Sequence, residues 1–429
     1  MTTFPKYERY KDSGVEWLGE VPEHWEIAPV QGLFEMSPEK NGKSIVGEML
    51  SISGYRGVEP KRYESDSQKR TQDQLADYRV VRKGQLAVNT MWLNYAGLGV
   101  SDHEGHMSPA YRAYSIRPKL NGRYAHHLLR SSLYVEAYTG LMQGIRPNSM
   151  QIKNEDFKKI PVLVPPKPEQ DRIVAFLDRK TAEIDALIAK KQRQIDLLDE
   201  QKAILINRAV TRGLNPNAKL KPSGIEWIGE IPAHWIIAPM YSRCDVRLGK
   251  MLDAAKIKGK HLQPYLRNTD VQWFKINCLD LPMMDFRPEE YERYSVKSGD
   301  LVVCEGGEPG RAALWDSEEP CFFQKALHRV RPMKGDDPRF LLYLFRNAVT
   351  MSAFSGVDKA TIAHLTGEQL RRFRFTFPPV AEQAGIADYL DDAQTRFSEA
   401  TQKIESHIQS LQTLRSTLIA HAVTGRIKV

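Results

Sequence analysis

The segment Ser13-Gly14-Val15-Glu16-Trp17-Leu18-Gly19-Glu20-Val21-Pro22-Glu23-His24-Trp25 occurs twice, and this repeat sets the architecture of the chain. It returns 210 residues later as Ser223-Gly224-Ile225-Glu226-Trp227-Ile228-Gly229-Glu230-Ile231-Pro232-Ala233-His234-Trp235. The motifs that close each copy also repeat, 213 residues apart: Pro165-Pro166, Glu169-Gln170 and Ala209-Val210-Thr211 return as Pro378-Pro379, Glu382-Gln383 and Ala422-Val423-Thr424. The chain is therefore a tandem duplication, and its function is expected to be performed twice.

Composition sets broad limits on the protein class. The 429 residues divide into two copies, each long enough to bury a core. The formal charge of +8 suits a surface that binds a polyanion, although many ordinary soluble proteins carry a similar excess. All four cysteines lie in the second copy without a CxxC spacing, which argues against a disulfide framework or a zinc site. No stretch approaches 18 apolar residues and no signal pattern opens the chain, so we expect a cytoplasmic protein without a membrane span.

The middle of each copy has the mixed pattern of an α/β domain. In the first copy, residues 79–88 and 113–116 have the pattern of short strands, and residues 123–138 have the apolar stripe of a helix. The second copy repeats the order of these landmarks: Lys83-Gly84-Gln85-Leu86 corresponds to Ser298-Gly299-Asp300-Leu301, and Arg123 to Arg339. The residues between the landmarks differ almost completely. The framework is thus retained while its contents have changed.

A long amphipathic pattern closes each copy. Its apolar residues are Ile173, Leu177, Ile184, Leu187, Leu198 and Leu205 in the first copy, and Ile386, Leu390, Phe397, Ile404, Leu411 and Leu418 in the second. Gly213 and Gly425 stand where each helix should end. Each helix would be a rod of roughly 60 to 70 Å. Neither can bury its stripe alone, so we expect the two to pair as an antiparallel coiled coil. Lys191, Gln194 and Gln201 interrupt the first stripe and weaken that pairing.

These patterns predict a fold class and domain boundaries. We expect two α/β (α+β) domains in tandem, at residues 1–164 and 215–377, separated by two long helices at residues 165–214 and 378–429. The duplication makes the arrangement pseudo-twofold symmetric. The repeated tryptophans are expected to anchor each domain core: Trp17, Trp25, Trp227 and Trp235.

The motifs that would signal catalysis are absent from the sequence. An amino-methyltransferase places a polar acceptor before Pro-Pro and an aromatic residue after it. Here the contexts are Val164-Pro165-Pro166-Lys167 and Phe377-Pro378-Pro379-Val380, which favour a rigid turn between a strand and a helix. Neither a GxGxxG nor a GxxxxGK[ST] motif occurs. His103 and His106 have no acidic or cysteine partner at a ligand spacing, so they indicate a polar loop rather than a metal site.

The loops after two equivalent strands are the candidate binding sites. They are Asn89-Thr90-Met91-Trp92-Leu93-Asn94-Tyr95-Ala96-Gly97 in the first copy and Cys304-Glu305-Gly306-Gly307-Glu308-Pro309-Gly310-Arg311 in the second. Such side chains read base edges or stack on bases, although ordinary surface turns have similar compositions. The candidate contacts in the first copy are Tyr55, Arg56, Asn89, Thr90, Met91, Trp92, Asn94, Tyr95, Arg146 and Asn148. Those in the second copy are Arg267, Asn268, Glu305, Gly307, Glu308, Arg311, Gln324, Lys325 and Lys359.

The duplicated motifs resemble those of the specificity subunit of type I restriction-modification systems. The resemblance rests on the paired Gly-x-x-Pro-x-x-Trp segments (Gly19, Pro22, Trp25; Gly229, Pro232, Trp235), the Pro-Pro-x-x-Glu-Gln helix starts and the Ala-Val-Thr helix ends. It implies that each middle is a target-recognition domain reading one half of a bipartite double-stranded DNA target. It also implies that the helices space these domains and dock the modification subunits, two of which are expected, with restriction subunits joining the complex.

The same resemblance implies a chain without catalysis or a cofactor of its own. S-adenosylmethionine, ATP and Mg²⁺ would belong to the partner subunits, which methylate adenine and cleave DNA in host defence. Because the two middles differ, the target should be asymmetric, and the length of the helices should fix the spacer between half-sites. Two alternatives stay open at this stage: a DNA-modifying enzyme that acts alone, and a coiled-coil scaffold without DNA contact.

Overall fold

The computed structural model describes residues 4–54, 57–63, 70–144, 150–252, 259–354 and 364–429. The chain forms two compact units. Unit 1 comprises Met1–Gln192 with Glu405–Val429, and unit 2 comprises Arg193–Ile404. Both have mixed α/β structure, as the sequence predicts. Across the described ranges, we find no helix with the length and apolar character that crossing a membrane requires.

Unit 1 is built on two four-stranded sheets. Its strands are β1 (Tyr10–Asp12), β2 (Glu20–Pro22), β3 (Glu26–Pro29), β4 (Phe34–Met36), β5 (Glu48–Ser53), β6 (Gly57–Pro60), β7 (Arg79–Val81), β8 (Leu86–Val88), β9 (Leu98–Val100), β10 (Gly105–Met107), β11 (Arg112–Ile116) and β12 (Pro161–Val164). The sheets have the orders β6-β5-β10-β7 and β4-β11-β8-β9, and β1-β2 and β3-β12 form two-stranded pairs. Only the β5–β10 pairing is parallel among them.

Unit 2 repeats this topology strand for strand. Its strands are β13 (Leu220–Pro222), β14 (Glu230–Pro232), β15 (Ile236–Pro239), β16 (Cys244–Leu248), β17 (Leu262–Leu266), β18 (Val271–Gln272), β19 (Lys275–Ile276), β20 (Met283–Asp285), β21 (Ser295–Val296), β22 (Leu301–Cys304), β23 (Ala312–Leu314), β24 (Cys321–Phe323), β25 (Leu327–Pro332) and β26 (Arg374–Phe377). The sheet orders β20-β17-β24-β21 and β16-β25-β22-β23 match those of unit 1, including the parallel central pair. The hairpin β18–β19 is inserted between β17 and β20.

Helices flank these sheets. They are α1 (Val30–Leu33), α2 (Gln72–Leu75), α3 (Gly122–Leu129), α4 (Ser132–Leu141), α5 (Asn154–Lys159), α6 (Lys167–Arg212), α7 (Tyr291–Tyr294), α8 (Pro338–Thr350), α9 (Gly367–Arg372) and α10 (Val380–Val423). Short 3₁₀ turns occupy Leu93–Tyr95, Met240–Ser242, Asn268–Asp270 and Pro288–Glu290. The Asn121 side chain caps α3, and the Asp337 side chain caps α8, because each accepts hydrogen bonds from the first backbone N–H groups of its helix.

Two of the predicted elements are interrupted in the structure. Residues 79–88 form β7 and β8 with a turn between them. The helix predicted over residues 123–138 is broken, because Ser131 has extended backbone angles and its hydroxyl donates to the carbonyl of Leu128. Ser131 thus ends α3 and starts α4, since a serine hydroxyl competes with helical hydrogen bonds.

The long helices have 46 and 44 residues, and each begins directly after its Pro-Pro pair. Gly213 follows α6 with φ of 71°, a left-handed angle that glycine adopts without strain and that terminates helices. Within unit 1, Asp171 and Val423 both contact the residues at the start of α3, whereas Asp185 pairs with Arg415. The two helix segments of this unit therefore run in opposite directions.

The duplicated motifs contact each other, which explains why they repeat together. Glu169, in the first turn of α6, accepts hydrogen bonds from Trp25 Nε1 at 3.1 Å, from His24 Nε2 at 2.8 Å and from the Tyr7 hydroxyl. Burial alone would raise the pKa of the Glu169 carboxyl, but these three hydrogen bonds hold it below its ordinary value. In unit 2, Glu382 accepts from Trp235 and His234 at the same two distances.

The glutamine of each motif completes this junction. Gln170 Nε2 donates to the carbonyls of Lys119 and Pro165, and its Oε1 accepts from the backbone of Asn121. In unit 2, Gln383 Oε1 accepts from the backbone N–H of Asp337 at the start of α8, and its Nε2 donates to the carbonyl of Pro378 and to the Asp336 carboxylate. Trp25 and Trp235 are completely buried at these junctions. Each long helix is thus fixed at its N-terminus to the core of one domain. The prediction that the repeated tryptophans anchor the cores is confirmed for Trp25 and Trp235, whereas Trp17 and Trp227 are half-buried and pack against the cores from outside.

The buried stripe of α6 differs in register from the predicted one. Ile173, Leu177 and Ile184 are buried, but Leu187 is 47% exposed and Ile188 packs against the core in its place. A straight α-helix drifts relative to a strict seven-residue repeat, which moves the buried face from Leu187 to the next position.

Candidate nucleic-acid interface

The first candidate site is the aromatic loop, residues 89–97, which follows β8. The backbone N–H of Asn89 donates to the carbonyl of Gly97 at 2.8 Å and closes the loop at its base. Asn89 and Thr90 are buried there, Met91 and Asn94 are half-buried, and Trp92 and Tyr95 are 53% and 62% exposed. The rings of Trp92 and Tyr95 meet edge to face with centroids 6.0 Å apart. The loop therefore presents two aromatic rings to solvent on a closed backbone frame.

Arg130, which follows the last residue of α3, fixes this loop through hydrogen bonds to backbone carbonyls. Its guanidinium donates to the carbonyls of Ala96 and Gly54, each at 2.8 Å, and to that of Leu98. Burial, together with the positive charge of Arg415, lowers the pKa of Arg130 to about 10. The bond to Gly54 joins the turn between β5 and β6 to the aromatic loop.

The candidate residues nearest this turn, Tyr55 and Arg56, lie outside the described residues. Arg146 and Asn148 lie outside them as well. The chain that follows this last pair returns to the aromatic loop, because the Ile152 N–H donates to the carbonyl of Thr90 at 3.2 Å. Two described residues, Gly54 and Ile152, are thus joined to the aromatic loop, the first through Arg130 and the second directly.

The second candidate site is the glycine loop, residues 304–311, which follows β22. Asn268 Nδ2 donates to the carbonyl of Gly306 at 2.9 Å, and Asn268 Oδ1 accepts from the Arg311 guanidinium at 2.9 Å. Glu308 lies 3.6 Å from Arg311 and accepts from Trp273 Nε1 at 2.9 Å. Gly307, at the tip, is exposed. Asn268, Glu308 and Arg311 therefore form one hydrogen-bonded network around an exposed glycine.

Gln324 and Lys325 border the glycine loop. The backbone N–H of Glu305 donates to the carbonyl of Ala326, directly after the half-buried Gln324 and the exposed Lys325. Arg267 is held by Asp270 at 2.8 Å. Lys359 lies outside the described residues.

Both loops carry groups suited to reading DNA. Amides, carboxylates and guanidinium groups discriminate the base edges of the major groove, and exposed aromatic rings stack on bases or contact thymine methyl groups. The aromatic loop offers mainly stacking surface, and the glycine loop mainly hydrogen-bonding groups. Among the described residues, no group of three or more His, Cys, Asp or Glu side chains is placed to hold a metal ion. His106 is buried and bonds through Nδ1 to the carbonyl of Val46.

Three supporting residues were not anticipated from the sequence: Arg130, Arg346 and Trp273. Arg130 and Arg346 follow the matched Arg123 and Arg339 by seven residues each, so the repeated spacing was a usable signal. Arg130 braces the aromatic loop directly, whereas the Arg346 guanidinium lies 4.8 Å from the centroid of Trp273, which in turn bonds Glu308. Trp273 belongs to the inserted hairpin and has no matched residue to reveal it.

The family model and the relatives that match this chain all belong to type I restriction-modification specificity proteins. Residues 244–410 match the family model of the type I restriction modification DNA specificity domain. The type I restriction enzyme MjaVIII specificity subunit of Methanocaldococcus jannaschii is 25% identical over 287 residues, which span 64% of this chain and 63% of that protein. The type I restriction enzyme EcoKI specificity subunit of Escherichia coli K12 is 21% identical over 70% of this chain and 64% of its own length. The chain thus spans just under two thirds of the length of these relatives.

Two solved structures share the fold. A chain from a type I R-M system, studied for complex assembly and conformational transition, superposes with a TM-score of 0.70 at 16% identity, covering 94% of this chain and 98% of its own. The HsdS subunit from Thermoanaerobacter tengcongensis gives a TM-score of 0.52 at 16% identity, with 95% and 98% coverage. The resemblance inferred from the duplicated motifs is confirmed.

Proposed function

Because this chain is a relative of the specificity subunits of type I restriction-modification systems, we propose that it selects the DNA sequence on which such a complex acts. Each unit reads one half-site of an asymmetric bipartite target, unit 1 through the aromatic loop and unit 2 through the glycine loop. The observation that carries the proposal is the identical sheet order of the two units combined with different side chains on equivalent loops. A common frame with different contact residues is what two different half-sites require.

The contacts follow from the exposed groups. In unit 1, Trp92 and Tyr95 meet the DNA, while the buried Asn89 and Thr90 shape the loop that carries them. In unit 2, Asn268, Glu308 and Arg311 supply donors and acceptors for base edges. Each well-placed base contact of this kind discriminates by about 1–3 kcal/mol.

The long helices set the distance between half-sites. We propose that α6 and α10 pair along their lengths as an antiparallel coiled coil with pseudo-twofold symmetry. The opposite directions of their segments in unit 1 support this, as does the shared core of Ile206, Val210, Ile386 and Leu390 in unit 2. Helices of 46 and 44 residues are about 66 to 69 Å long, enough to separate two modules by a full turn of B-DNA, about 34 Å.

In this role the chain carries no catalysis of its own. It docks modification subunits, two per chain, and these supply S-adenosylmethionine and methylate adenine. Restriction subunits that use ATP and Mg²⁺ join through the same complex. The fixed attachment of each helix to its domain, through Glu169 and Glu382, transmits the geometry of the docked partners to the DNA-reading loops.

The test is to map methylated adenines in DNA from cells that express the chain with its modification partners. The expected result is one asymmetric bipartite motif with a fixed spacer. A Trp92→Ala, Tyr95→Ala double variant should relax the first half-site and leave the second intact. Methylation by the purified chain alone, or a single undivided motif, would contradict the proposal.

A further inference from the structure

Among the described residues, two positive charges in unit 2 have no carboxylate partner within ion-pair distance. Lys202 on α6 and Arg346 on α8 are both half-buried, and neither forms an ion pair with any residue in the described ranges. The Arg346 guanidinium lies 4.8 Å from the centroid of Trp273, and Lys202 Nζ lies 5.8 Å from that of Phe274. Burial and the positive charge of Arg346 lower the pKa of Lys202, whereas Asp199 acts in the opposite direction.

The equivalent positions of unit 1 carry the same charges, but there the charges are satisfied. Arg130 matches Arg346, and Arg415 matches Lys202. Arg130 is saturated by backbone carbonyls, and Arg415 Nε donates to Asp185 Oδ1 at 2.9 Å. The residue of the second copy that matches Asp185 is Ser398. The carboxylate that pairs with Arg415 in unit 1 is therefore replaced by a neutral side chain in unit 2.

The surface under the two cations is built by the inserted hairpin β18–β19. Its tip, Trp273 and Phe274, stands where unit 1 has only residues 54–56 between β5 and β6. Phe274 has φ of 62°, a left-handed angle that is costly for a bulky side chain and persists where surrounding contacts enforce it. Its ring packs 5.4 Å from that of Tyr343, and Trp273 bonds Glu308 of the glycine loop. The two cations thus lie over the rings of Trp273 and Phe274, and the hydrogen bond from Trp273 to Glu308 connects this aromatic surface to the glycine loop.

We propose that Lys202 and Arg346 bind a phosphate of the DNA backbone beside the half-site read by unit 2. This rests on the proposed function of the glycine loop. Two half-buried cations that form no ion pair within the described ranges favour a phosphate, and such contacts fix the position of a reading loop on the duplex without selecting its sequence. Trp273 links the phosphate site to Glu308, so anchoring the backbone there sets the position of the glycine loop over its base pairs. The other charged groups at this place are Asp199, Glu308 and Arg311.

The test uses the full chain in complex with its modification subunits and measures duplex affinity from 0.05 to 1 M salt. Lys202→Gln should weaken binding on the order of tenfold at 0.05 M salt, lose its effect near 1 M, and reduce the slope of log K against log salt by about 0.9. Ser398→Asp restores the carboxylate of unit 1 while keeping Lys202, and should have the same effect. Arg415→Gln, at the position already neutralised by Asp185, is the matched control and should leave the slope unchanged.

The outcomes separate this inference from the proposed function. Equal losses with random duplexes and with duplexes carrying the mapped target support a phosphate contact. An unchanged slope in both Lys202→Gln and Ser398→Asp overturns the inference while sequence-specific methylation still stands. Competition between inorganic phosphate and duplex DNA that depends on Lys202 at constant ionic strength would support a phosphate contact at this place. If the wild-type complex does not bind DNA, the proposed function itself fails.

Discussion

Replacing Arg130 by Met should loosen the aromatic loop and relax reading of one half-site only. The guanidinium makes two hydrogen bonds of 2.8 Å, to the carbonyls of Ala96 and Gly54, beneath the loop. Hydrogen bonds to a charged donor contribute about 1.5–3 kcal/mol each, and partial access of water to the freed carbonyls reduces the sum. The expected loss in the free energy of unfolding is about 3 kcal/mol.

For a unit of this size, that loss lowers the melting temperature by about 6–12 °C. Arg130→Lys should lose about half as much, because the shorter ammonium group cannot span the same carbonyls. Arg9, an exposed residue with a loose 3.8 Å contact to Glu23, is the control, and Arg9→Met should change the free energy by less than about 0.5 kcal/mol.

The functional part of this prediction concerns the methylation motif. In cells expressing Arg130→Met with the modification partners, the first half-site should become degenerate at one or more positions while the second stays unchanged. Melting is followed by calorimetry, and the motif by mapping methylated adenines. A variant that melts with the wild type and retains both half-sites would refute the role of Arg130 as the support of the aromatic loop.

Three further predictions follow from other residues. Gly97→Ala places a Cβ 2.5 Å from the Trp92 carbonyl oxygen and should therefore destabilise unit 1. Gly140→Ala, where the new Cβ meets open space inside α4, should stabilise the unit by about 0.5–1 kcal/mol. Melting curves that ranked these two variants the other way would be inconsistent with the loop geometry. Burial lowers the pKa of His126 to about 3. Between about pH 6.5 and 3 the histidine is therefore protonated in the unfolded chain but not in the folded chain, and the free energy of unfolding should fall as the pH drops through this range. His126→Gln should flatten that dependence in denaturant titrations, and an unchanged pH profile would exclude the histidine as its source. Trp92→Ala with Tyr95→Ala should change the free energy of unfolding by less than about 1 kcal/mol, because both rings are exposed, yet weaken specific DNA binding at least tenfold in anisotropy titrations; equal affinity would remove the aromatic pair from the interface.

The sequence predicts the frame of this protein well, because the frame is what the duplication copied. Trp25 and Glu169 repeat as Trp235 and Glu382, and in each unit the pair forms one hydrogen bond of 3.1 Å. Repetition reveals that two motifs matter, but it does not reveal that they touch across 144 residues. That contact depends on how the chain folds back on itself, which neither motif specifies alone.

Local competition limits what periodicity can predict. The apolar residues within 123–138 keep a helical spacing on both sides of Arg130 and Ser131, so the spacing predicts one helix. The hydrogen bonds of the serine hydroxyl and of the Arg130 guanidinium to the loop carbonyls break that helix in two. In α6 the buried face similarly shifts from Leu187 to Ile188, because 3.6 residues per turn do not match a strict seven-residue repeat.

The repeat predicts where the two candidate loops lie but not which of their side chains are exposed. Both loops follow equivalent strands, so their positions could be deduced from the repeat. Composition alone could not separate the buried Asn89 and Thr90 from the exposed Trp92 and Tyr95, since burial depends on how the loop closes at Gly97. The hairpin tip at Trp273 occurs in one copy only, and comparison of the copies could not identify it.

If two domains read different half-sites at a distance set by the helices, longer helices should change the distance and leave the half-sites unchanged. The most direct test is to insert one helical turn of four residues into both α6 and α10, after Gln192 and after Ile404, and to map methylated adenines. The insertion adds about 6 Å, so we expect the two original half-sites with a spacer longer by about one to two base pairs. An unchanged spacer, or altered half-sites with the original spacer, would contradict this expectation.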